Sequence, residues 1–112
     1  MNFDTFTRGD VIVEVVNLSR ATMKEAEEFK NFIFKHIDEG FKKIVVDLDK
    51  CSFIDSTFLS TLVSAYKKIL SLDGDMKLAS VRDELRSIIE FTGTRKIFKI
   101  YSTAEKAIKS YN

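Results

Sequence analysis

The stretch VVDLDKCSFIDSTFLSTLVSAY, Val45 to Tyr66, decides the fold. Its beginning belongs to a continuous apolar run, Lys43 to Leu48 (KIVVDL), that ends among acids. A run of that kind is the pattern of a strand buried on both faces. A short connector follows, and then a helix is predicted from about Ser56 to Leu72. Its apolar residues Leu59, Leu62, Val63, Tyr66, Ile69 and Leu70 recur at helical spacing and form one stripe. Asp55, Ser56 and Thr57 stand at the junction, and each is a residue type that caps the orphan amides of a helix start.

Working outward, the same alternation recurs. A strand at Phe3 to Thr7 turns at Arg8-Gly9-Asp10 into the β-branched run Val11 to Val16 (VIVEVV), which reads as a hairpin. Met23, Ala26, Phe29, Ile33 and Ile37 mark a helix that stops at Gly40, with Thr22 as N-cap and Glu25 in capping-box position. Beyond the central unit, Asp73-Gly74-Asp75 turns into a strand at Met76 to Val81. Leu85, Ile88 and Ile89 mark a third helix closed by Gly93. Ile97 to Tyr101 reads as a last strand, and Ala104, Ala107, Ile108 and Tyr111 as a last helix. The order β-β-α-β-α-β-α-β-α implies an α/β fold: one domain over residues 1–112, a mixed and mostly parallel sheet of about five strands with an opening hairpin, and about four helices.

Composition narrows the function. Eighteen basic against 17 acidic residues leave a net charge of +1, too little for a long-range field that captures nucleic acid or an anionic membrane. The bases lean C-terminal, where Arg95, Lys96, Lys99, Lys106 and Lys109 face only Glu105, which reads as a solvated surface. The single cysteine, Cys51, has no internal partner and suits a reducing compartment. The first residues carry no basic and apolar leader pattern, and no apolar run approaches the ~20 residues of a membrane span. A cytoplasmic protein is expected.

Most enzyme chemistry is set aside on the same grounds. Neither glycine-rich nucleotide cradle is present, and one His with one Cys does not make a usual zinc site. His36 reads as a structural residue at the edge of the first helix's apolar face, and Cys51 as a small buried hydrophobe. Asp47, Asp49 and Asp55 raise the possibility of a cation pocket at a strand end. They come from one strand and its connector, however, whereas such pockets draw acids from several strands, and Asp75 and Asp83 are not placed to join them. No catalytic residue, cofactor or metal is expected.

The helix after Asp55 has an unusual outer face. With the apolar stripe inward, Ser56, Ser60 and Ser64 line up at i, i+4 and i+8, flanked by Thr57, Thr61 and Lys68. Small hydroxyl side chains make a flat surface that another protein can approach closely. The run IVVDLDKCSFIDST leading into this helix resembles the STAS domain of bacterial anti-sigma-factor antagonists, and the likeness extends in order and length over the whole chain.

That resemblance implies a function. The serine directly after the aspartate is the one phosphorylated in such proteins by a partner anti-sigma factor with serine kinase activity; here it is Ser56, preceded by Asp55. Unphosphorylated protein would bind the anti-sigma factor and free the sigma factor, phosphorylation would abolish binding, and a phosphatase would reset the switch. The implied partner surface is Asp55, Ser56, Thr57, Phe58, Ser60, Thr61 and Ser64, on a non-enzymatic, cofactor-free monomer that contacts neither nucleic acid nor membrane. Two departures stand out. Phe58 and Ser60 occupy positions where the family has glycine, and Ser19-Arg20-Ala21-Thr22 replaces a segment with a glycine and an acid. Phe58 therefore either sits at the partner surface or tucks beside the core stripe. The alternative function is a non-switching STAS scaffold in a transporter or stress-signalling complex, with Ser56 only a helix cap.

Overall fold

Why the central unit takes this shape is visible in its burial. The computed structural model describes residues 1–91 and 97–112, residue 91 by its backbone only. Strand β4 (Lys43–Asp47) has Ile44, Val45 and Val46 all buried, because it is covered on both faces. It lies in the middle of a five-stranded sheet ordered β1-β2-β4-β6-β7. Strands β1 (Phe3–Arg8) and β2 (Val11–Val16) form the antiparallel hairpin, with Phe3 opposite Val16 and Arg8 opposite Val11. Strands β2, β4, β6 (Asp75–Ala79) and β7 (Ile100–Tyr101) run parallel.

Helices α1 (Met23–Asp38), α2 (Ser56–Ser71) and α3 (Asp83–Phe91) contribute to one core with Ile12, Ile44, Val46, Met76 and Leu78. Helix α4 (Ala104–Lys109) covers the other face over Val11, Val13, Val45 and Ala79. Strand alternation sends neighbouring residues into the two layers, which is why β2 is apolar except for Glu14 and β4 is apolar over Ile44, Val45 and Val46. The predicted α/β class, hairpin, five-stranded mixed sheet and four helices are all present.

The differences are local. Two more strands exist, β3 (Arg20–Ala21) and β5 (Phe53–Ile54), which pair in parallel as a separate two-stranded sheet. The last strand is Ile100–Tyr101 rather than Ile97–Tyr101, and Ile97 is exposed in a turn. Met23 and Leu70, assigned to apolar stripes, are 69% and 45% exposed, each in a terminal turn of its helix. Gly93, Arg95 and Lys96 lie outside the described residues. Turn chemistry is well matched at Thr22, whose hydroxyl accepts the Lys24 amide while Glu25 accepts the Thr22 amide, a capping box.

His36 is held on α1 within 2.8 Å of the Glu14 carboxylate. Glu14 is fully buried on β2 and also accepts the Thr5 hydroxyl at 2.6 Å. Burial raises the Glu14 carboxyl above the usual carboxylate range, and the bonds from Thr5 and His36 only partly oppose it. This buried polar group is paired, as buried polar groups must be.

Candidate functional site

The junction between β5 and α2 assembles from backbone outward. Asp55 has extended backbone angles and is the N-cap of α2. One carboxylate oxygen accepts the Phe58 amide at 2.9 Å, in the manner expected of a cap. The other oxygen accepts the amide of Met23, the first residue of α1, at 2.8 Å. A single carboxylate therefore serves two helix starts.

The β3–β5 pairing brings those starts together. Ser19 O accepts the amides of Ser52 and Phe53, and Ala21 O accepts the Asp55 amide at 3.2 Å. Arg20 lies opposite Phe53 in register, and its guanidinium stacks 4.2 Å from the Phe53 ring centroid. The segment Ser19–Thr22 therefore forms one rim of the site, with Asp55 and Ser56 on the other.

Ser56 occupies the first helical position and is exposed, and its hydroxyl has no hydrogen-bond partner among the described residues. The helix provides its intrahelical bonds from Leu59 onward, which donates to Asp55 O, and Phe58 is taken by the cap. The amides of Ser56 and Thr57 are thus the outward-pointing donors of this terminus, where the helix dipole favours negative charge. Thr57, Ser60 and Ser64 are exposed on the same side of α2, so four of the hydroxyl residues form one surface.

Two residues assigned to that surface lie elsewhere. Phe58 is fully buried, its ring 4.9 Å from Phe29 and 6.4 Å from Phe3 between centroids. Of the two positions open to it from sequence, the structure selects the core. Thr61 is also buried, and its hydroxyl donates to Thr57 O at 3.2 Å. The reason is the width of the contact: α2 packs on α1 as well as on the sheet, so Phe58, Thr61, Leu62, Ala65 and Ile69 all turn inward.

The acids near the site do not converge. Asp47 Oδ1 accepts the Asp49 amide, and burial raises the Asp47 carboxyl above the usual range. Both oxygens of Asp55 are engaged with amides. Among the described residues, no three His, Cys, Asp or Glu side chains form a metal-holding group. Cys51 is buried, its thiol donating to Phe53 O, and desolvation raises it further from the thiolate. No helix among the described residues is long and apolar enough to cross a membrane.

Sequence reasoning missed the Met23–Asp55 bond and the β3–β5 pairing that allows it. Two-residue strands carry no periodicity, and no sequence signal announces a cap shared between helices 32 residues apart.

Comparison with known proteins agrees with this architecture. A Thermotoga neapolitana protein, named provisionally as an anti-sigma factor antagonist, is 28% identical over 101 residues, covering 89% of this chain and 88% of its own. A Thermotoga maritima crystal structure with the same provisional naming superposes with a TM-score of 0.87 at 26% identity, covering 96% of this chain and 92% of that one. The Bacillus cell fate determinant SpoIIAA in its phosphorylated form shares the fold at a TM-score of 0.76 and 18% identity, covering 98% and 99%. The model of the STAS domain matches residues 8–107. With the motif, the sheet order and this match in agreement, the chain belongs to the STAS domain family.

Proposed function

We propose that the protein is an anti-sigma factor antagonist that works by partner switching, with Ser56 as its phosphate acceptor. The observation that carries this reading is an exposed, unbonded serine hydroxyl at the first position of α2, at the end of the IVVDLDKCSFIDST run. Relatives named as anti-sigma factor antagonists, and the phosphorylated state of SpoIIAA, support it.

The unmodified protein binds an anti-sigma factor that is itself a serine kinase, and the sigma factor is freed. Phosphorylation adds about −1.5 to −2 charges to a flat hydroxyl surface. The phosphate finds the Ser56 and Thr57 amides, so the domain stays folded while the partner meets a bulky, hydrated group where it fitted a hydroxyl. A phosphatase restores binding. The protein acts as a cytoplasmic monomer, without enzymatic activity of its own. The scaffold alternative draws on Phe58 in place of glycine and takes Ser56 as only a helix cap; the N-cap of α2 is Asp55, which favours the switch reading.

The test is capture of the partner from the source organism, followed by ATP and peptide mapping of the phosphate. Ser56→Asp is expected to weaken capture at least about tenfold, equivalent to ~1.4 kcal/mol, and Ser56→Ala to bind constitutively. Equal affinity of the two variants refutes the switch.

A further inference from the structure

We infer that Asp55 is a positioning residue for the Ser56 switch: a clasp that locks the starts of α1 and α2 together, not a charge read by the partner. The kinetic part of this inference rests on Ser56 being the phosphate acceptor; the structural part does not. Its two oxygens are already committed, at 2.9 Å to the Phe58 amide of α2 and at 2.8 Å to the Met23 amide of α1. Each helix N-terminus carries a partial positive charge, so one carboxylate between two such ends is held more firmly than an ordinary cap. A carboxylate engaged in this way has little left to offer an incoming protein.

The division of labour at α1 supports the same conclusion. Thr22 supplies its own capping box, satisfying the Lys24 amide, and the Glu25 amide donates to Thr22 O. The Met23 amide is the one first-turn donor that those bonds do not reach, and Asp55 takes it from across the site. The Ala21 O to Asp55 N bond and the β3–β5 pairing set the approach. The clasp thus ties the backbones of Met23 and the first turn of α2 to the Ser19–Thr22 rim beside which Ser56 is presented.

Asp55→Ser separates the two bonds. A serine is as good an N-cap as aspartate and keeps the Phe58 bond, but its short side chain cannot also span to Met23. Amide hydrogen exchange on the folded protein is expected to show Met23 exchanging at least about tenfold faster in the variant, with Phe58 protection retained. Asp55→Asn, nearly the same shape with a single acceptor oxygen, is expected to lose the same one of the two bonds, and it serves if the serine variant is poorly folded. Unchanged Met23 protection in both variants overturns the clasp.

Phosphorylation kinetics with the captured partner kinase supply the second arm. A positioning role raises KM several-fold while kcat stays within about twofold, and the salt dependence of partner binding is unchanged. A flattened salt dependence, or a kcat loss with KM unaltered, means that the partner or its nucleotide reads the Asp55 charge directly, and overturns the inference. If the captured partner phosphorylates nothing on the wild-type chain, the switch reading fails while the exchange result still decides the clasp.

Discussion

Replacing Phe58 with alanine tests how the core replaces a family glycine. The ring is fully buried and packs against Phe29 at 4.9 Å and Phe3 at 6.4 Å between centroids. Removing such a ring costs about 3–5 kcal/mol, the lost transfer energy plus the cavity left behind. The contact with Phe29, of the kind that contributes ~0.5–1.5 kcal/mol beyond area, is included in that figure. A domain of this size has roughly 5–15 kcal/mol to lose, so the substitution removes between about a fifth and all of its stability. Near 110 residues, each kcal/mol moves the midpoint by about 4 °C, giving a fall of about 12–20 °C. Phe58→Gly adds the helix penalty of ~1 kcal/mol relative to alanine. Urea unfolding monitored by circular dichroism, with m-values compared to confirm two-state behaviour, gives the number. A loss below ~1 kcal/mol refutes the reasoning, since no buried aromatic ring of this packing is removed so cheaply. A loss of the expected size with partner affinity unchanged establishes that Phe58 is core and sets no specificity.

Three further outcomes follow from the structure. Gly74→Ala is expected to destabilise by more than ~1 kcal/mol in thermal melting, because a Cβ there would lie 2.5 Å from Lys42 O and 2.7 Å from Ile69 Cγ1; a neutral alanine contradicts that crowding. The raised Glu14 carboxyl means the native state holds its proton more tightly than the unfolded chain does. That contribution is present below the ordinary glutamate value and lost as pH rises through the raised one. Glu14→Gln cannot ionise, so its stability relative to wild type should improve from pH 4 to pH 8 in urea titrations; a relative decline would mean that the His36 pair outweighs burial. Protein carrying phosphoserine at position 56 should melt within a few degrees of the unmodified form, since a charge at a helix start contributes only ~0.3–1 kcal/mol. A destabilisation above ~2 kcal/mol would place the phosphate against something other than the open Ser56 and Thr57 amides.

Much of this molecule was legible in the residues. KIVVDL reads as a doubly buried strand because it is a short apolar run without alternation and rich in β-branched residues, and β4 bears that out. The hairpin, the capping box at Thr22 and Glu25, and the helix start after Asp55 follow from local chemistry, since the turn and the two caps each depend on neighbours within four residues. The fold class then follows from their order.

Position around a helix was harder to read where two partners compete for it. Phe58 and Thr61 turned inward because α2 packs on α1 as well as the sheet, and one chain's periodicity cannot tell how wide its buried arc is. Met23 carries an apolar side chain at helical spacing yet stands 69% exposed at the first position of α1. The Asp55–Met23 bond joins residues 32 apart through a two-residue strand pairing. Local propensity acts over a few residues, whereas that carboxylate's second partner is set only when packing brings two distant helix starts to the same place.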